Sequence, residues 1–335
     1  MSYRHSKKAG NEGDVIKHIS LIAALDTVMK SWNKDKGNKG KVFSYCDTYA
    51  ANGLNLLKSG LGWSKGIGRI QSLMNHADVT INHHVVNWKN SWWIPLEETE
   101  RKYNAGFYPG SSLFVANLFE KNEIKNYKVR LWDIDIDCIE DQFKTFCKYD
   151  QTTKCLKLDP KISLYSESAF GKKPNPDFEN YLKQADFLFV DPPSLKIPKN
   201  YKNLADTRAG NGNWTMFWFP ATSNNEMAEA KESKERRGWF DTNLSAKILV
   251  QFKKIVSAEV PFGCQIVLVG PPDTEKYKVR SNVKNAIDYV ITLFKSKTND
   301  IILNNLITFD AENWGLPYGW NLPDQNVGGW PDTNI

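Results

Sequence analysis

Cysteine is scarce in this 335-residue sequence: Cys46, Cys138, Cys147, Cys155 and Cys264 are an odd five, with no C-x-x-C pair. Such spacing excludes a disulfide framework and a zinc site, and predicts reduced thiols of a cytoplasmic protein. No apolar run approaches the ~20 residues that span a bilayer, and the start lacks the basic-then-apolar pattern of a secretory signal. Neither secretion nor a membrane partner is expected. Phosphate-cradling signatures are missing too: there is no G-x-G-x-x-G and no Walker loop. His83 and His84 have no third ligand at suitable spacing, so they read as surface or packing residues and no metal is expected. Lys and Arg are absent from residues 311–335, where Trp314, Trp320 and Trp330 stand amid Gly and Pro. That segment predicts an irregular wrap over the surface, and no internal repeat or low-complexity tract is visible.

What the chain does have is an ordinary globular balance, 41% hydrophobic and 24% charged, with an excess of aromatics at 13%, including 12 Trp. Its length fits about two domains, or one α/β domain with insertions. Lys+Arg 44 against Asp+Glu 38 leaves a net charge of only +6, which permits a polyanionic partner without requiring one. Position says more than the total. Residues 1–41 carry nine cations and four anions, a net +5. Charge alone reads this segment as a solvated, lysine-dressed surface.

Residues 12–31 predict an amphipathic helix, with Val15, Ile19, Ile22, Ala23 and Met29 at helical spacing after Asp14. A Gly/Lys/Asn loop over 33–41 ends it. Residues 42–47 predict a strand that runs into the small-residue turn Thr48-Tyr49-Ala50-Ala51-Asn52-Gly53. Further strands are expected at 129–133, 162–165, 187–191, 214–219 and 265–269. Apolar strands alternating with helix-length segments predict an α/β fold built on a mostly parallel, doubly wound sheet buried on both faces. About fifty residues rich in Asn, His and Trp (54–106) interrupt that rhythm and predict a helical insertion after the first strand.

Ligands of open α/β sheets bind beyond the carboxyl ends of the strands. Three of the expected strands end in an acid: Asp47, Asp133 and Asp191. An acid at a strand end can grip both hydroxyls of a ribose, and a small-residue turn lets a nucleoside approach the backbone. Each such Asp is equally a loop solvator or a helix cap. The Asp191-Pro192-Pro193 run is more informative, because two prolines remove backbone donors and stiffen an extended chain. This aims the Asp191 carboxylate and free carbonyls at one point, as a planar amino donor on a base would require.

The opening Ser2-Tyr3-Arg4-His5-Ser6, then Ala9-Gly10-Asn11 and Asp14-Val15-Ile16-Lys17-His18, resembles the N-terminal signature of the RlmJ family. Members methylate an adenine N6 in 23S ribosomal RNA with S-adenosyl-L-methionine. The likeness continues in order through Asp47-Thr48-Tyr49-Ala50 with Gly53, Gly66-Ile67 with Arg69-Ile70, Tyr108-Pro109-Gly110-Ser111, Asp191-Pro192-Pro193, Trp218-Phe219-Pro220 and Gly270-Pro271-Pro272. It implies a Rossmann-like methyltransferase sheet over 42–310, preceded by a basic segment and helix (1–41), holding the insertion at 54–106 and followed by the tail (311–335). It also implies roles. His18, Tyr49, Ser111, Asp133, Ser168 and Ala169 fall at cofactor positions, with Asp133 gripping the ribose. Asp191 falls at the proton acceptor. Tyr3 matches a position that meets RNA, with Lys17 near the pocket. Separately from the resemblance, the Pro192 carbonyl beside Asp191 is expected to accept from the target amino group, and Trp218 to face the base.

Three positions depart from the family pattern. Ser194 stands where an aromatic residue would stack on the base, a contact worth about 1–3 kcal/mol. Ser168-Ala169 replaces Asp-Gly, and Tyr49 replaces a His. Trp218, Phe217 or Tyr3 is then expected to take over the stacking. Three readings are open: an active RNA adenine-N6 methyltransferase, a catalytically degenerate relative that binds RNA or a protein, and an amino-methyltransferase acting on DNA. The mixed-sign run Lys231 to Arg237 reads as a solvated segment, or as an RNA phosphate contact.

Overall fold

The computed structural model describes residues 9–57, 66–67, 106–170, 176–192, 200–222, 245–253, 261–272, 278–295 and 307–308. In chain order they form α1 (Glu12–Lys34), a short 3-10 turn (Lys36–Asn38), β1 (Phe43–Asp47), β2 (Leu54–Leu57), β3 (Gly106–Pro109) and α2 (Ser111–Lys121). Then come β4 (Tyr127–Trp132), α3 (Ile136–Phe146), β5 (Cys147–Asp150), β6 (Cys155–Leu158), β7 (Ile162–Tyr165) and α4 (Pro176–Gln184). The remainder is β8 (Phe187–Val190), α5 (Asn200–Gly210), β9 (Trp214–Thr222), β10 (Ser245–Lys253), β11 (Pro261–Val269), α6 (Val279–Lys295) and β12 (Ile307–Thr308).

Eight strands make one sheet in the order β12-β10-β11-β9-β8-β1-β4-β7. The five from β7 to β9 are parallel, while β11 runs antiparallel to both β9 and β10, and β12 antiparallel to β10. The chain winds outward from β1 through β4 to β7, then returns to add β8 and β9 on the other side. This is a doubly wound, Rossmann-like α/β sheet whose strand order reverses between β1 and β8, where ligands of such sheets bind.

Burial on both faces explains the apolar strands. Phe187 and Phe189 of β8 join the core under α1, α2 and α6, with Phe43, Val129 and Met216. Leu188 and Val190 face the opposite core, under α4 and α5, with Phe178, Leu182 and Phe217. A strand that feeds two cores cannot alternate apolar with polar. Phe189→Ala would cost about 3–5 kcal/mol.

All six strands expected from the sequence are present, β4 and β8 each stopping one residue before its acid. The sequence reading omits β10, the β5–β6 hairpin and the two-residue β12. β9 continues past Trp218-Phe219-Pro220 to Thr222. Pro220 is tolerated there because β8 stops pairing at Val190↔Phe217, so that side of β9 requires no backbone donor.

α1 corrects a second expectation. Asn11 caps it, accepting from the Asp14 N–H at 3.0 Å, but every residue from Gly13 to Met29 is buried. The helix is therefore not amphipathic over its first four turns. It lies against α6, α2 and the sheet, and its buried Asp14, Lys17 and Asp26 are each ion-paired. Of the insertion, β2 and β3 pair antiparallel from Leu54↔Pro109 to Leu57↔Gly106, and Gly66 and Ile67 are seen. The two ends of the expected helical insertion (54–106) are thus strand; its remainder at 58–65 and 68–105, with His83 and His84, and also Tyr3, Ser194, Lys231 to Arg237 and the 311–335 tail, lie outside the described residues.

Candidate active site

The turn after β1 is fixed from four sides. Thr48 N–H donates to Phe189 O at 3.2 Å, and Ala50 N–H to Trp132 O at 2.9 Å, so the turn bridges the ends of β8 and β4. Ala51 sits at φ +48, the left-handed region, and its N–H donates to Asp133 Oδ2 at 3.0 Å. Gln142, fully buried on α3, donates from Nε2 to Ala50 O (3.1 Å) and Ala51 O (2.9 Å), while its Oε1 accepts from Ser112 Oγ at 2.9 Å. Gly110 N–H donates to Gly53 O at 2.8 Å. A Cβ on Gly110 would lie 2.2 Å from Asn52 O, so the approach of the two turns excludes any side chain there.

Asp47 closes β1 fully buried. Its Oδ2 accepts from Ser111 Oγ at 2.5 Å and Tyr45 Oη at 3.4 Å, and its Oδ1 from the Tyr49 N–H at 3.2 Å. Burial pushes its carboxyl up to about 7, against the pull of Ser111 and the Tyr49 N–H; the nearby Asp191 charge adds to the rise and Lys17 opposes it. Asp133, just past β4, accepts from Ala51 and Asp135 N–H groups, one per oxygen. Partial burial raises its carboxyl, opposed by those two bonds and by the Ile134 N–H. Four lone pairs against three donors leave room for a further one.

Asp191, just past β8, meets Lys17 of α1: Nζ lies 2.8 Å from Oδ2, and 3.1 Å from Asp14 Oδ1. Asp14 Oδ2 in turn accepts from the Gly10 N–H at 3.0 Å. Burial works against the Lys17 ammonium, but the Asp14 and Asp191 carboxylates outweigh it and raise the pKa overall. Gly10 O accepts from the Ile67 N–H at 2.9 Å, and a Cβ on Gly66 would fall 2.1 Å from that same oxygen. The Ala9-Gly10-Asn11, Gly66-Ile67 and Asp191 blocks, far apart in the chain, are thus joined in space.

His18, beside Lys17, holds Tyr108 Oη at 2.7 Å from Nδ1 and packs its ring 4.9 Å from that of Phe114. Tyr49, half-buried, contacts Tyr201 hydroxyl to hydroxyl at 3.2 Å and feels the charges of both Asp133 and Asp191. Tyr201 meets Phe170 edge-on with centroids 3.9 Å apart, and the Phe170 N–H donates to Ser168 Oγ at 3.2 Å. Ser168 and Ala169 therefore connect to Tyr49 through two aromatic rings. His18, Lys17, Tyr49, Ser111, Asp133 and Asp191 all converge on the carboxyl edge of β1, β4 and β8. Pro192 is buried there.

One residue expected beside the base, and one block of the family likeness, have packing roles instead. Trp218, one register step past Val190↔Phe217 and so level with Asp191, is only 7% exposed and belongs to the core under α1 and α6. Its ring already has a packing role. Gly270-Pro271-Pro272 follows the end of β11 that pairs with the start of β9, at the opposite edge of the sheet. Arg280 donates to Pro271 O at 2.7 Å and Gly270 O at 3.0 Å and covers Trp214 at 4.9 Å, so this block is architectural. Conversely, Gln142 escapes sequence reading: nothing in α3 distinguishes it from a surface glutamine.

Among the described residues, no group of three or more His, Cys, Asp or Glu side chains is placed to hold a metal ion, and no helix is long and apolar enough to cross a membrane. Cys46, Cys138, Cys147 and Cys155 are free thiols.

No family model and no curated protein matches the sequence. Among solved structures, a Legionella pneumophila protein described by the family-model DUF519 is similar over 87% of this chain and 95% of its own, with a TM-score of 0.57 and 16% identity. At that identity the likeness establishes the fold alone. A SAM-dependent O-methyltransferase from Thermotoga maritima overlaps 62% of this chain and 72% of its own at 14% identity, but with a TM-score of 0.29 no argument rests on it.

Proposed function

We propose that this chain is an S-adenosyl-L-methionine-dependent methyltransferase acting on the N6 amino group of an adenine in RNA, with large-subunit ribosomal RNA as the substrate class. The observation that carries the reading is Asp191, fixed by Lys17 at the switch between β8 and β1, beside the Thr48–Gly53 turn and the Asp133 carboxylate. The resemblance of the N-terminal block to the RlmJ family supports the choice of RNA and of adenine.

The donor set fits the cofactor. Asp133, half-buried just past β4, keeps acceptor capacity for a ribose hydroxyl. The Thr48–Gly53 turn lies at the sheet switch with Ala51 and Asn52 half-buried, and Gly110 lets the following turn pack against it. Ser111 and the start of α2 lie where the carboxylate end of an amino acid moiety can be matched. When bound, S-adenosyl-L-methionine supplies an electrophilic methyl carbon on sulfur.

The remaining work is done by the protein. Lys17 occupies Asp191 Oδ2 and leaves Oδ1 to accept from an exocyclic amino group, with the buried Pro192 stiffening the chain behind it. Accepting that hydrogen bond localises the nitrogen lone pair and sets its direction. The bound cofactor would supply the methyl group to N6, its sulfur retaining the electron pair of the bond given up. One amino proton passes to Asp191 and on to solvent. The base has to be unstacked to reach this point.

Calorimetric titration tests the reading. S-adenosyl-L-methionine should bind the wild-type chain, and Asp133→Ala should weaken it by about tenfold or more, the loss of a charge-assisted hydrogen bond worth about 1.5–3 kcal/mol. Absence of binding at millimolar cofactor would sink it.

A further inference from the structure

The net charge of the N-terminal segment divides between two ends of the molecule. α1 starts at the candidate active site and runs beneath the sheet to its other edge. At 1.5 Å per residue, Lys34 lies about 25 Å from Lys17 along the helix axis. Lys34, Lys36, Lys39 and Lys41 therefore sit before β1, away from Asp191. Lys121 at the end of α2, Lys125 in the link before β4 and Lys128 at the start of β4 lie at the same edge, and Lys161 precedes β7.

Hydrogen bonds draw these loops together. Asn126 Nδ2 donates to Gly40 O at 3.1 Å and Lys41 O at 3.2 Å, and its carbonyl accepts from the Phe43 N–H at 3.0 Å. Asn33 donates to Asn122 O at 3.0 Å. The Val129 N–H donates to Lys161 O at 2.9 Å, and Lys161 Nζ covers the Tyr127 ring at 4.4 Å. Over segments 34–41, 120–128 and 159–161 there are eight lysines against four acids (Asp35, Glu120, Glu123, Asp159), a net +4. Two of those acids bond their own backbone: Asp35 accepts from the Gly37 N–H and Asp159 from the Lys161 N–H, each at 2.9 Å. Lys34, Lys36, Lys39 and Lys125 are exposed, and among the described residues they make no ion pair.

We propose that this lysine edge is a second RNA contact, binding phosphates of the substrate at a distance from the methylated adenine. Lysines act there as point charges, which position a backbone without reading its sequence. The inference rests on the RNA reading above and adds where a large substrate is gripped. In a helically stacked strand, rising about 3.4 Å per nucleotide, about eight nucleotides separate a contact at Asp191 from one at this edge. Short RNA should therefore not feel it.

The test changes Lys34, Lys36, Lys39 and Lys125 together to Gln and measures binding by fluorescence anisotropy across a salt series. The probes are a hairpin RNA of about 40 nucleotides and a single strand of about six. For the hairpin, the slope of log affinity on log salt should become shallower by about three, at ~0.7–0.9 per lost phosphate contact. The six-mer affinity and the affinity for S-adenosyl-L-methionine should not change. An unchanged hairpin slope, an equal loss with the six-mer, or no hairpin binding by the wild-type chain each overturns the proposal. Cofactor binding that persists in any of these cases separates this failure from failure of the methyltransferase reading. Exchanging Lys154 and Lys183 for Gln instead should leave hairpin binding as it was; a matching loss would show a general charge effect and also overturn it.

Discussion

Lys17 Nζ and Asp191 Oδ2 are 2.8 Å apart although 174 positions separate them in the chain. Asp14, one helical turn before Lys17, shares the ammonium at 3.1 Å. Replacing Lys17 by Met leaves two carboxylates, the buried Asp14 and the half-buried Asp191, without this counter-charge. Breaking one side of a buried pair costs about 3–5 kcal/mol. Urea denaturation should show a loss of that size for Lys17→Met. A much smaller loss is expected for Asp191→Asn, since Lys17 keeps Asp14. Equal losses would mean the two carboxylates do not share the lysine in this way.

Asp47 makes stability depend on pH in a stated direction. Its carboxyl is pushed up to about 7 in the folded chain by burial, against about 3.9 when unfolded. Between those values the folded state holds the proton more tightly than the unfolded state, so this group's contribution is complete below about pH 4 and is lost as pH rises to about 7. Asp47→Asn removes that dependence. The variant should gain on the wild type between pH 5 and pH 8 in urea melts run side by side. A gap between the two that stays constant with pH would contradict a proton-holding Asp47.

Gln142 positions the turn rather than touching a ligand. Gln142→Leu keeps the side-chain volume but leaves the Ala50 and Ala51 carbonyls and Ser112 Oγ short of a partner. That should cost about 1–3 kcal/mol and weaken cofactor affinity, because Ala51 N–H also orients Asp133. Gln142→Glu, which cannot donate to the two carbonyls, should behave no better. Cofactor affinity equal to wild type in both variants would show that the turn holds without this strut.

Much of the site is legible in the sequence because strand ends punctuate it. Asp47, Asp133 and Asp191 follow apolar runs, and the prolines after Asp191 mark where β8 stops. What is not legible is mostly long-range. The pairing of Lys17 with Asp191 depends on α1 crossing beneath the sheet, and a period-3.6 pattern cannot tell a helix wet on one face from one enclosed by α2, α6 and the sheet. Asp14, Lys17 and Asp26 look like the polar face of an amphipathic helix, yet they are buried and paired. β10 is easily missed for a different reason: Lys247 and Gln251 interrupt its apolar residues, as suits a strand near the edge of the sheet. Trp218 illustrates the opposite error, in which proximity along a motif suggests a ligand contact while the pleat turns the ring into the core.

The most direct measurement digests protein-free large-subunit ribosomal RNA to nucleosides after incubation with S-adenosyl-L-methionine and the chain, and quantifies N6-methyladenosine. Wild type should produce it, and Asp191→Ala should lower the rate by about 10²–10⁴-fold while still binding the cofactor. A wild-type rate no greater than that of Asp191→Ala would contradict catalysis at this site.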